Sequence, residues 1–84
     1  MIIFYHPRFK RAYKKLSAEL KSKAETKEKL FRVNPFHPSL DTHKLHGKLK
    51  NQWSFSVDIK YRILFEFDGQ DVIFLDIGDH EIYR

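Results

Sequence analysis

From Trp53 to Phe67 the apolar residues recur with period two, and that alternation commits this part of the chain to sheet. Trp53, Phe55, Val57 and Ile59 share one phase, which Tyr61, Ile63, Phe65 and Phe67 continue. Ser54, Ser56, Asp58 and Lys60 take the other. A single strand of 15 residues is too long for a small domain. A turn is therefore expected near Asp58-Ile59-Lys60, although no glycine marks it. Asp68-Gly69-Gln70-Asp71 is a clearer turn, since Asp-Gly is a strong hairpin signal. Val72–Ile77 then reads as the last strand.

The front of the chain has a different period. Ile2–Tyr5 is a short run of β formers and reads as a first strand. Pro7 follows where a helix would start, at a position that needs no N–H donor. Phe9, Ala12, Tyr13, Leu16 and Leu20 then recur with helical spacing, and Ala24, Leu30, Phe31 and Val33 extend the stripe more loosely. One helix over 7–33 would be about 40 Å long, against about 30 Å for a domain of this size. The spacing therefore predicts a break near Ser17, which can cap a second helix. Asn34-Pro35-Phe36-His37-Pro38-Ser39 ends the helices, and 34–51 reads as a long loop rich in Lys and His. The expected order is β-α-α-β-β-β: an α+β fold with an N-terminal helical hairpin packed on one face of a small sheet. Trp53 and Phe4, Phe9, Phe31, Phe55, Phe65 and Phe67 are the candidate core.

The 84 residues make one domain, 1–84, with no cysteine for disulfides or thiolate metal sites. No apolar run approaches the ~20 residues of a membrane span. The first residues are apolar before they become basic, the reverse of a signal peptide, so a cytoplasmic location is expected. Net charge is unevenly spread: +7 over 6–32, +3 over 41–62 and −5 over 63–84. A basic front half favours a polyanion or an acidic protein partner.

The groups able to do chemistry gather at the strand ends. Arg62 opens one strand, with the same parity as Ser54 and Ser56. His80, Tyr83 and Arg84 follow the last strand. The loop adds His43, Lys44, His46, Lys48 and Lys50. If the helices cover the odd face, the even face stays open as a basic, polar surface suited to RNA, whose 2′-OH is a built-in nucleophile. Cleavage through that hydroxyl needs a base, cations on the phosphate and an acid for the leaving oxygen. His80 or His43 can serve as acid or base, Arg62 can hold two phosphate oxygens, and Tyr83 can position a group or donate a proton. His43 and His46 form an HxxH pair, weak for zinc without a placed carboxylate. Asp76 and Asp79 read as turn caps or ion-pair partners before a Mg²⁺ pair.

The segments HKLHGKLKNQWSFSV (43–57), YRILFEF (61–67) and IGDHEIYR (77–84), with the helical stretch 14–35, resemble the RelE/ParE superfamily of toxins from bacterial toxin–antitoxin pairs, nearest to the YafQ-like RelE branch. The resemblance implies a small curved antiparallel sheet with an N-terminal helical hairpin. It leaves three readings: an RNase, a gyrase poison, or a relic of the toxin fold that only binds its antitoxin and DNA. RNase members cut mRNA, often in the ribosomal A site, without metal or other cofactor; ParE members poison DNA gyrase. By motif, Arg62 matches the Arg of the YR strand, His80 the His of G-x-H, and His43 the His before the loop's Leu and Gly. Tyr83 or Arg84 fills the C-terminal role. Ser56 and Lys60 stand about where the YafQ-like strand carries a His and an Asp, and the C-terminal motif is one residue shorter. The implied catalytic set is His80, Arg62, His43 and Tyr83. Lys44, His46, Lys48, Lys50, Ser56, Lys60 and Arg84 would bind RNA. The implied partners are an acidic antitoxin, mRNA and the ribosome, with operator DNA reached only through the antitoxin.

Overall fold

The computed structural model describes residues 1–47 and 51–83. The elements run β1 (Ile3–Tyr5), α1 (Pro7–Lys14), α2 (Ala18–Val33), β2 (His43–Lys44), β3 (Trp53–Ser56), β4 (Arg62–Asp68) and β5 (Asp71–Gly78), with 3-10 turns at Pro38–Leu40 and His80–Tyr83. The strand order is β1-β5-β4-β3-β2. The α+β expectation holds, with two additions. The long loop contains a fifth strand, β2, paired antiparallel to β3. The sheet is mixed, because β1 runs parallel to β5.

The helical break falls where the length argument put it. The Leu16 N–H bonds to the Tyr13 carbonyl at 3.0 Å, tightening the end of α1. The Ser17 hydroxyl then accepts from the Leu20 N–H at 3.2 Å, as an N-cap. At the far end of α2, Asn34 is extended (φ −156°, ψ 107°), as a residue before proline prefers.

Phe31 is the keystone of the core. Its ring stacks on Phe55 at 4.7 Å and meets Phe65 and Phe74 edge-on at 5.0 and 5.6 Å. All four rings are fully buried. Phe9 of α1 closes the layer over Phe74 at 5.5 Å. Two expected core residues lie elsewhere. Phe4 is 50% exposed on the outer face of edge strand β1, and Phe67 is 38% exposed beyond the end of β3. Ile59 projects fully into solvent from the β3–β4 turn, while Trp53 is half-buried at its strand start and packs against the core as expected.

That turn needs no glycine because Asp58 builds it. Its Oδ1 accepts from the Lys60 and Tyr61 N–H groups at 2.9 and 2.7 Å. The Tyr61 N–H, with help from the Lys60 N–H and the Lys23 charge, holds the Asp58 carboxyl below its usual range against the opposing effect of burial. A depressed native pKa contributes stability that is present above the unfolded value and is lost as pH falls through the native one. Asp58→Ala should therefore cost about 1–2 kcal/mol at neutral pH. That deficit should shrink as urea midpoints are followed from about pH 5 down to about pH 2. A deficit that stays constant over that range would separate Asp58 from acid sensitivity.

The β4–β5 hairpin turns at Gly69, whose φ is +62° while Gln70 stays negative, the pattern of a type II′ turn. A bulge then breaks the period. Leu64 faces Asp76 but Phe65 faces Phe74, so Leu75 is the extra residue. The shift brings both Phe74 and Ile77 to the helix-covered face despite their opposite parity.

Candidate active site

The outer face is not simply open. Ser54, expected to be exposed there, is fully buried, and so is Leu64. The reason lies in what covers Ser54. Its hydroxyl oxygen accepts from Arg62 Nε at 3.0 Å and from the Tyr83 hydroxyl at 3.1 Å. Tyr83 reaches it because the turn His80–Tyr83 folds back on the strand end. Gly78 permits this: a Cβ there would stand 2.6 Å from Ile82 Cγ2. Gly78 also pairs directly with Arg62 across the sheet.

Arg62 is held from three sides. Besides Nε, its Nη2 donates to the Asp41 carbonyl at 2.7 Å and to the Ser54 carbonyl at 3.3 Å. Nη1 lies 3.4 Å from Asp41 Oδ2. The side chain is only 18% exposed, while that of Asp41 is 73% exposed. A fixed guanidinium thus faces outward behind a solvated carboxylate. Asp41 is itself placed by the preceding turn: Leu40 is buried in the core, and Asp41 takes a left-handed conformation at φ 48°. Its other oxygen, Oδ1, stands 3.9 Å from His43 Nδ1. His43 pairs with Ser54 across β2 and β3. Arg62, Ser54, Tyr83, Asp41 and His43 therefore form one contiguous group.

The other predicted residues are dispersed. His80 starts the turn that ends in Tyr83, but its side chain is 78% exposed and its Nε2 stands 3.6 Å from Glu81 Oε1. It takes no part in the hydrogen bonds around Ser54. Ser56 donates to the Asp58 carbonyl at 2.7 Å, and Lys60 is exposed in the same turn. Lys44 lies on the opposite side of β2 from His43, with Nζ 6.0 Å from the Trp53 ring centre. His46 is exposed. Lys48, Lys50 and Arg84 lie outside the described residues. Asp79 caps the last turn by accepting from the Glu81 N–H at 2.9 Å. Asp76 accepts from the Ile77 N–H at 2.9 Å and pairs with Arg8 at 3.3 Å. Among the described residues no group of three His, Asp or Glu side chains is placed to share a metal ion.

Sequence reading missed two members of the group. Asp41 sits in a stretch with no period to orient it. Ser54 reads as a solvent-facing strand residue, because its burial depends on a turn that begins 26 residues later. No described helix is long and apolar enough to cross a membrane.

The fold is shared widely. The chain superposes on a YoeB/ParE toxin from Agrobacterium tumefaciens with a TM-score of 0.79 at 16% identity, covering 95% of this chain and 99% of that one. YafQ from E. coli strain BL21(DE3) gives 0.78 at 17% identity, covering 96% and 94%. The RelB-RelE antitoxin-toxin complex from Methanococcus jannaschii gives 0.74 at 21% identity, covering 95% and 94%. No curated protein sequence matches the chain. The profile of the family described as the ParE toxin of type II toxin-antitoxin system, parDE, matches residues 3–82. The chain thus belongs to the ParE toxin family, within the RelE/ParE superfamily of type II toxin–antitoxin toxins.

Proposed function

We propose that this toxin is a metal-independent endoribonuclease that cuts mRNA, with the ribosome presenting the strand. The observation that carries the reading is Arg62: a nearly buried guanidinium, fixed by Ser54 and Asp41, with an imidazole on one flank and a phenol on the other. Such a preorganised cation stabilises charge developing on a phosphate. The RNA 2′-oxygen attacks phosphorus as His43 takes its proton, with Asp41 beside the ring to orient it. The O2′–P bond forms and the P–O5′ bond breaks. Tyr83, or His80 once RNA draws it inward, delivers a proton to the leaving 5′ oxygen. The products are a 2′,3′-cyclic phosphate and a 5′-hydroxyl. The scissile phosphate would take over the solvent-exposed contact that Asp41 Oδ2 makes with Arg62.

An acidic antitoxin is the expected partner, because related toxins are solved with theirs: YafQ with DinJ, YoeB with YefM, RelE with RelB. A gyrase-inhibitor reading is favoured by one observation, the match to the ParE family, whose gyrase-poisoning members need no acid or base. Primer extension on mRNA after brief induction separates the two. Discrete cuts that weaken by ~10²-fold in His43→Ala support the nuclease. Intact mRNA with arrested DNA supercoiling supports the gyrase reading.

A further inference from the structure

The two edges of the sheet are finished differently. β2 presents His43 and Lys44, both exposed, and polar or charged residues of this kind keep an edge from pairing. β1 has no such guard: Ile2, Ile3, Phe4 and Tyr5 run without a charge. The Val72 N–H bonds to the Ile2 carbonyl at 3.0 Å, and the His6 N–H to the Phe74 carbonyl at 2.9 Å. The even residues therefore face β5, and the N–H and C=O groups of Ile3 and Tyr5 point away from the sheet. Those groups have no hydrogen-bond partner among the described residues. On the outer face Ile2 and Phe4 are 58% and 50% exposed. On the inner face, by contrast, Ile3 is buried and Tyr5 packs on Phe74. Charge is graded along the same edge. Its start adjoins the hairpin acids: the Ile2 N–H donates to Asp71 Oδ1 at 2.9 Å, and Asp68 pairs with Asp71 across the ladder. Its end leads into Arg8, Lys10 and Arg11 of α1, all exposed.

We propose that β1 is a self-association edge, pairing antiparallel with β1 of a second copy of this chain about a two-fold axis at Phe4. The backbone groups on the free side of β1 fix the register. Only one antiparallel register uses all of them: Ile3 of each copy faces Tyr5 of the other, giving four hydrogen bonds between the chains. Phe4 then faces its own counterpart as a non-hydrogen-bonded pair, with Cα atoms about 4.5 Å apart. The two rings cover one another on the outer face, and Ile2 falls opposite His6 of the other copy. Antiparallel pairing also reverses the charge gradient. Each copy's Asp68–Asp71 end comes to lie beside the Arg8–Arg11 end of the other, so the potentials are complementary. A two-fold joint needs a surface that matches itself. A second copy is the occupant that satisfies register, apolar contact and charge together. The two sheets become one of ten strands, with both Arg62 groups on its outer face, each two strands in from the joint. The proposal does not depend on the nuclease reading.

A joint of one short strand is small, so association is expected at roughly 10–100 µM. Sedimentation velocity of the purified chain should show the mass moving from one chain of 10.2 kDa toward two as concentration rises through that range. Phe4→Lys sets two like charges against each other at the axis and should weaken association by at least ~10-fold. Its thermal midpoint should hold, because the ring is half in solvent. The chain has no cysteine, so Phe4→Cys tests the register itself. Cα atoms about 4.5 Å apart are within reach of a disulfide. Mild oxidation should therefore give covalent dimer at least ~10-fold faster than in Ile59→Cys, since pairing raises the effective concentration at Phe4 alone. Ile59 is the control because it is fully exposed in the β3–β4 turn, away from β1. A chain that stays monomeric throughout, association untouched by Phe4→Lys, or oxidation no faster than in Ile59→Cys would each overturn the proposal. So would Ile3 and Tyr5 amides that become protected from hydrogen exchange only when an antitoxin strand is added, which would assign the edge to that partner.

Discussion

Arg62→Ala should lower the maximal rate of mRNA cleavage by roughly 10²-fold, with a smaller change in the RNA concentration needed for half-maximal rate. The guanidinium is already fixed before RNA arrives, so its removal is felt mainly where charge develops on the phosphate. Two controls separate this role from a structural one. Arg62→Lys keeps the charge but cannot reproduce contacts from Nε, Nη1 and Nη2 at once, so it should recover only part of the rate. Ser54→Ala removes the acceptor shared by Arg62 and Tyr83 without touching the charge. It should loosen both groups and lower the rate less than Arg62→Ala does. A fully active Arg62→Ala protein would leave the nuclease reading without its principal cation.

Phe31→Ala should destabilise the fold by about 3–5 kcal/mol. The ring contacts Phe55, Phe65 and Phe74 at once, so its loss opens a cavity between α2 and three strands. A small domain has only about 5–15 kcal/mol of total stability, so the variant should be marginally folded. Urea unfolding should show a greatly reduced midpoint with little change in slope. A loss below about 1 kcal/mol would mean that the helix and sheet can collapse over the gap. Phe67→Ala serves as the contrast, because that ring is partly in solvent and should cost far less.

These predictions differ in how much of their basis is legible in the sequence. The core is legible because periodicity reports burial directly. Phe31 falls on the helical stripe, Phe55 and Phe65 on the odd strand phase, and all are buried. Ser17 is legible because a length limit and a capping residue coincide. The bulge at Leu75 is not, since a single extra residue changes the phase of Ile77 without any glycine or proline to announce it. Nor is β2, whose two residues are too few to show a period. The candidate site is half legible. Arg62 and Tyr83 stand out as polar groups at the ends of apolar strands. That both converge on Ser54, or that Asp41 spans Arg62 and His43, depends on tertiary placement across long sequence separations. Phe4 and Phe67 mislead for a related reason. Aromatic residues are expected inside, but strand ends and edges leave such rings without a covering layer.

The most direct test of the central claim is cleavage of mRNA on programmed ribosomes by the purified chain, with and without EDTA, under conditions where ribosome integrity is controlled separately. The account predicts that cleavage persists in EDTA and that the upstream fragment ends in a 2′,3′-cyclic phosphate, the mark of 2′-OH attack assisted by side chains alone. Activity abolished by EDTA and restored by Mg²⁺ or Zn²⁺, or an upstream fragment with a free 3′-hydroxyl, would contradict it.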